Sequence, residues 1–244
     1  MTGSQTSAAE FARRVQCVRN DINACGLRCN RAPSDITLVA VSKTHPPDAI
    51  REGINLGLTD FGENRVQEAE GKIPIVGRNA ACWHLIGHLQ SNKARKAVEL
   101  FDVIHSLDSI VLAQRLDRIC VESNREKLPV LIQVDLGHEA RKTGVGEKNL
   151  SELVSTVAES ERLQLRGLMT LPPFFDEAEK ARLFFRRLRE LRDDLQAQGA
   201  FGNRRGDLSM GMTHDYQVAI EEGATIVRIG TAIFGERNQL KTEN

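Results

Sequence analysis

Ile36-Thr-Leu-Val-Ala-Val-Ser-Lys-Thr-His-Pro-Pro47 decides how this chain folds. The run to Ser42 is almost unbroken in apolar and β-branched residues, as strands of a parallel sheet are when helices cover both faces. Pro46 and Pro47 then open a helix that reads to Leu56. Proline suits a helix's first turn because its missing N–H has no partner to lose there. Between strand and helix stands Lys43-Thr-His45, with none of the glycines that a doubly wound dinucleotide-binding sheet places at this turn. An open sheet is thereby disfavoured, and the number of strand–helix units that follow decides whether the sheet closes.

A leading helix takes up residues 1–30, with its pattern clearest over 8–29. After the first unit, strands read at 59–62, 83–87, 103–107, 129–135, 165–171, 207–212 and 225–229. Helices beginning at 66, 92, 110, 149, 176 and 216 alternate with them, and a closing turn falls at 232–235. Eight strands are the number that closes a parallel sheet on itself, and 244 residues suit a barrel of about 250. The expectation is an α/β fold: one domain over 1–244, a (β/α)8 TIM barrel at 36–237 with an extra N-terminal helix.

Composition removes several function classes. Lys and Arg total 33, as do Asp and Glu, so zero net charge offers no electrostatic case for nucleic acid or a membrane surface. Aromatic residues are 5%, too few for a base-stacking platform. The N-terminus lacks an apolar signal core and no run is long enough to span a bilayer, so a cytoplasmic protein is expected. The five cysteines show no repeated spacing and read as reduced thiols. His84 and His88 are four apart, but His84 lies in a strand run and Gly87 intervenes, so no metal is assigned. Arg182, Arg186, Arg187, Arg189 and Arg192 are interleaved with acids and read as a solvated helix face.

In a βα barrel the chemistry belongs at the carboxyl ends of the strands. The polar residues there are Lys43, Glu63, Asn64, His84, His105, Asp108, Asp135, Thr170, Ser209, Thr213, Arg228 and Thr231, with Met169 and Gly230 beside them. Lys43, at the lip of the interior, is expected to have its amine pushed toward the neutral form, which Schiff-base chemistry needs; the plainer reading is a lysine reaching out to solvent. Ser209-Met-Gly-Met-Thr213 and Arg228-Ile-Gly-Thr231 place hydroxyls and glycines after the last two strands, where barrels often bind phosphate. By alternation Arg228 faces the interior. There it needs either an acceptor such as a pyridine nitrogen or an internal salt bridge to Glu63 or Asp135.

Six segments in order strongly resemble the pyridoxal phosphate homeostasis protein family: Ala40-Val-Ser-Lys-Thr44; Phe61-Gly-Glu-Asn64 with Val66-Gln-Glu68; Trp83-His-Leu-Ile-Gly87 with Leu89-Gln90 and Asn92-Lys93; Gly167-Leu-Met-Thr170; Ser209-Met-Gly-Met-Thr213; and Val227-Arg-Ile-Gly-Thr-Ala-Ile-Phe-Gly235. Members are single-domain barrels that bind pyridoxal 5'-phosphate (PLP) and are similar to the N-terminal domain of alanine racemase. The resemblance implies Lys43 as the Schiff-base lysine and Arg228 against the pyridine nitrogen. It also implies Ser209, Thr213, Gly230 and Thr231 at the phosphate, Asn64 and His84 along the pocket, and Met210 and Gly211 close to the cofactor. Thr213 stands where the family usually has serine, which keeps the hydroxyl. Arg65 stands where a tyrosine often follows Gly-Glu-Asn.

The resemblance implies a protein that holds PLP reversibly, hands it to apo forms of PLP enzymes, and so regulates vitamin B6 and amino-acid balance. It is expected to be a monomer without turnover of its own. An arginine at the ring nitrogen weakens the cofactor as an electron sink, and the sequence ends nine residues after Gly235, leaving no second domain of the racemase type. Two alternatives stand beside it: a low-activity racemase or lyase using Lys43 with His84 or Lys142, and an aldolase-type barrel whose Lys43 takes a sugar phosphate.

Overall fold

The computed structural model describes residues 2–137 and 143–236. Eight parallel strands close into one barrel in sequence order: β1 (Thr37–Val41), β2 (Asp60–Glu63), β3 (Cys82–Leu85), β4 (Val103–Leu107), β5 (Leu128–Gln133), β6 (Leu163–Met169), β7 (Asp207–Ser209) and β8 (Ile226–Ile229). The seam is the β1–β8 pairing, with Val39 opposite Arg228 and Ala40 opposite Ile229. Helix α1 (Thr2–Arg28) precedes the barrel. Around it run α2 (Pro47–Asn55), α3 (Val66–Val76), α4 (Ala94–Leu100), α5 (Ile110–Glu122), α6 (Glu147–Glu159), α7 (Arg182–Ala197), α8 (Tyr216–Glu221) and the short α9 (Thr231–Phe234).

The pleat sorts each strand into two faces. Ala40, Phe61, Trp83, Leu85, Ile104 and Val227 pack outward in the large core shared with the helices. Val39, Leu131, Met169 and Ile226 form a separate small cluster inside the barrel. The rest of the interior is polar: His84, His105, Gln133, Ser209 and Arg228 are all buried. Local chemistry sets the connections. Ser109 caps α5 by accepting the Leu112 N–H, and Pro47 occupies the first turn of α2. At Gly167 a Cβ would lie 2.0 Å from the Asp207 carbonyl oxygen, so only glycine lets β6 and β7 approach so closely. Among the described residues no helix is long and apolar enough to cross a membrane.

Beyond shifts of one or two residues at element ends, three details depart from the expected pattern. The helix expected from residue 176 begins as a tight turn at Ala178–Ala181, where the Lys180 N–H reaches the Glu177 carbonyl, and becomes α-helical at Arg182. The strand expected over 207–212 stops at Ser209, because Gly211 turns to φ +89° and its carbonyl accepts the Arg228 N–H. The arginine face of α7 is not simply solvated. Arg192 is 1% exposed and donates to the Gly206 carbonyl, while Arg182, Arg186 and Arg189 converge on the buried Glu222 carboxylate.

Candidate functional site

The carboxyl ends of the strands frame a cavity of about 580 Å³. Lys43, Asn64, Thr213, Arg228, Gly230 and Thr231 line it. Leu171-Pro-Pro-Phe-Phe175, the loop after β6, adds an apolar wall with no motif to mark it in advance.

Lys43 reaches this cavity from a turn held on both sides. Thr44 lies in the left-handed region at φ +67°, unfavourable for a residue with a branched Cβ. Its N–H donates to Glu68 Oε1, while the Ser42 carbonyl accepts from Lys72 Nζ at 2.8 Å. Lys72 also donates to Glu63 Oε1 and Glu68 Oε1, both at 2.9 Å, and Ser42 Oγ donates to Glu63 at 2.7 Å. Lys72 is 7% exposed and Glu63 0%, and burial pushes the Glu63 carboxyl up from its usual range. This buried cluster grips the backbone on either side of the lysine. Lys72 sits on α3 with nothing in its sequence context to mark it.

Asn64 is set by a close approach of β2 and β3. A Cβ on Gly87 would come within 2.3 Å of the Asn64 carbonyl oxygen, so glycine is required there. Ser106 Oγ fixes the same turn by donating to the Gly87 carbonyl at 2.7 Å.

Across the cavity, Arg228 is buried in the interior as the alternation implied. Its partners are neither Glu63 nor Asp135: Nη1 donates to Ser209 Oγ at 2.6 Å and Nη2 to the Thr170 carbonyl at 2.9 Å. Burial lowers its pKa to about 10, opposed by the Asp215 carboxylate, so the guanidinium stays charged at neutral pH. Next to it the loop after β7 is tightly folded. The Met212 N–H donates to Asp215 Oδ1 at 2.6 Å, and a Cβ on Gly211 would meet the Ala219 Cβ at 2.6 Å. Gly230 and Thr231 begin α9, whose Ile233 and Phe234 N–H groups both return to the Gly230 carbonyl at 2.9 Å. The first N–H groups of such a turn have no intrahelical acceptor and suit an anion.

The other residues singled out from the sequence lie behind the lining. Met210 and Gly211 are buried in the loop. Ser209 Oγ lies between Arg228 Nη1 and His105 Nδ1, 2.9 Å away. His84 meets His105 Nε2 through Nδ1 at 2.8 Å and Asp60 Oδ1 through Nε2 at 3.0 Å. From the sequence His105 is only a strand-end residue, and nothing marks Asp60. Lys142, weighed for the racemase alternative, lies outside the described residues.

Comparison with known proteins gives this geometry its class. The model of the alanine racemase N-terminal domain matches residues 27–238. Alanine racemase from Corynebacterium glutamicum, at 17% identity and a TM-score of 0.64 over 93% of this chain and 62% of its own, shares the fold. Two bacterial relatives are named pyridoxal phosphate homeostasis protein. That of Aquifex aeolicus is 45% identical over 92% of this chain and 97% of its own length. That of Escherichia coli K12 is 42% identical over 95% and 99%. PipY of Synechococcus elongatus, whose structure was determined with PLP bound, is 40% identical with a TM-score of 0.79 over 92% of this chain and all of its own. The chain belongs to the pyridoxal phosphate homeostasis protein family.

Proposed function

We propose that this chain holds PLP in the strand-end cavity through a Schiff base at Lys43 and regulates intracellular PLP and amino-acid balance as a carrier. The observation that carries the reading is the convergence of an amine (Lys43), a charged guanidinium (Arg228) and a hydroxyl- and glycine-rich turn (Gly230, Thr231) on one cavity of about 580 Å³. That volume lies within the ordinary range for a small cofactor. Bound PLP supplies an aldehyde that condenses reversibly with a neutral amine and releases water.

Each residue then has a task. The Ser42–Thr44 turn presents the Lys43 amine, and Thr213, Gly230 and Thr231 receive the phosphate beside the fold of Gly211. Arg228 has donors and no acceptor, so at the ring nitrogen it offers a hydrogen bond while leaving that nitrogen unprotonated. A ring so held is a weak electron sink, which suits storage and hand-over better than turnover. Apo forms of PLP enzymes are the intended recipients, in the cytoplasm.

An absorption spectrum of the purified protein before and after borohydride, run beside Lys43→Ala, tests the reading. A band that reduction fixes covalently at Lys43 and that the variant lacks is the expected result. Protein that stays colourless with added PLP would overturn it. Sustained racemase or transaminase turnover by the pure protein would overturn its non-catalytic part.

A further inference from the structure

The hydrogen bonds behind Arg228 do not end at Ser209. They continue through His105 and His84 to Asp60, crossing the barrel in steps of 2.6, 2.9, 2.8 and 3.0 Å. His105 and Ser209 are fully buried, and His84 is 4% exposed. Asp60 borders a second cavity of about 350 Å³, lined also by Arg19, Leu38 and Thr59 at the amino-terminal mouth of the barrel. The chain therefore joins the two ends of the molecule.

With one proton on each imidazole and Asp60 ionised, as its lowered pKa favours, every donor along it meets an acceptor in only one arrangement. The Asp60 carboxylate accepts from His84 Nε2–H, which leaves His84 Nδ1 to accept from His105 Nε2–H. His105 Nδ1 then accepts the Ser209 hydroxyl, whose oxygen accepts from Arg228. Only two formal charges remain, Asp60 negative and Arg228 positive, with three neutral groups between them. A second proton on His84 would reverse the bonds on either side of His105 and add a third charge to a poorly solvated interior.

The surroundings agree with that arrangement. Burial holds the His105 imidazole well below the usual histidine range. Burial opposes the charge on Asp60 as well, yet hydrogen bonds from His84 and Thr59 hold its carboxyl below its usual value. The neighbouring Cys82 thiol is pushed up to about 12 by burial and by the Asp60 and Asp102 carboxylates, and so stays protonated.

We propose that Asp60, His84, His105 and Ser209 are positioning residues for Arg228: a hydrogen-bonded chain of fixed direction that ties the guanidinium at the cavity to a carboxylate at the opposite mouth. The part of this that concerns PLP rests on the function proposed above. The part that concerns proton positions does not.

Nitrogen NMR of histidine-labelled protein at neutral pH reads the direction without any ligand. Both His84 and His105 are expected as the Nε2–H form with an unprotonated Nδ1. An Nδ1–H form or a doubly protonated ring at either position overturns the proposal. Asp60→Asn keeps an acceptor and removes the charge. It is expected to move the His105 ring nitrogens and the Arg228 guanidinium signals across the barrel, and to weaken PLP binding roughly two- to thirtyfold. Signals that move at His84 alone, or an affinity within about twofold of the parent, overturn the positioning role. Should the parent protein take up no PLP, the proposed function fails, and the histidine proton positions still decide this one.

Discussion

Replacing Lys72 by methionine probes the support beneath Lys43. The substitution keeps most of the side chain's bulk and removes an ammonium that serves the Ser42 carbonyl and the Glu63 and Glu68 carboxylates. Removing one partner of a buried ion pair costs about 3–5 kcal/mol, because the other charge stays buried without compensation. Glu63 meets that condition: it is fully buried, Lys72 is its only ion-pair partner among the described residues, and its Oε2 has no hydrogen bond. At about 2–4 °C per kcal/mol for a chain of this size, the melting temperature falls by roughly 6–20 °C. The deficit shrinks as pH falls. Loss of the cation raises the Glu63 pKa further, and a group whose folded pKa lies above its unfolded value gains folded-state stability as it takes up its proton. Adding Glu63→Gln recovers most of the loss. Thermal melts of the single and double variants at pH 5 and pH 8, with borohydride trapping of PLP at Lys43 as a second readout, test all of this. A Lys72→Met protein melting within about 2 °C of the parent at pH 8 would refute the clamp.

Other outcomes follow from the same geometry. His105 is held neutral by burial, so the unfolded chain binds more protons below its ordinary value of 6.5. As pH falls from 7 to 5 this one residue lowers the stability of the folded chain, and urea titrations of His105→Gln show a flatter profile over that window. Gly211→Ala places a Cβ 2.6 Å from the Ala219 Cβ at φ +89°, and calorimetry is expected to find a loss of about 1–3 kcal/mol together with poorer PLP retention. Gly87→Ala drives a Cβ into the Asn64 carbonyl oxygen at 2.3 Å and is expected to give a lower melting temperature and a displaced Asn64 signal by NMR.

The barrel was legible because short β-branched runs alternate with amphipathic stretches, and the strand Val103–Leu107 and the start of the helix at Ile110 were placed correctly from that alternation. Arg228 was legible for a related reason, since a charge at an inward position of an apolar strand has to have a purpose. Lys72 was not, because one lysine in the amphipathic stretch Val66–Val76 looks like any solvated residue until Glu63 is known to face that helix. The link from His84 to His105 depends on how β3 lies against β4, and no single strand carries that information. Arg192 deceived for the converse reason, its burial being decided by the Gly206 turn that packs over it.

Lys43 follows the first strand and Arg228 lies on the last, so the two groups that would grip the cofactor sit on opposite sides of the seam where the sheet closes. A molecule bound between them acts as a rivet. Every contact it makes with one edge holds that edge to the other, and a saturating ligand at a hundred times its Kd adds about 2.7 kcal/mol against opening. Loading the cavity and locking the barrel shut would then be one event, and opening the seam would loosen both halves of the grip at once.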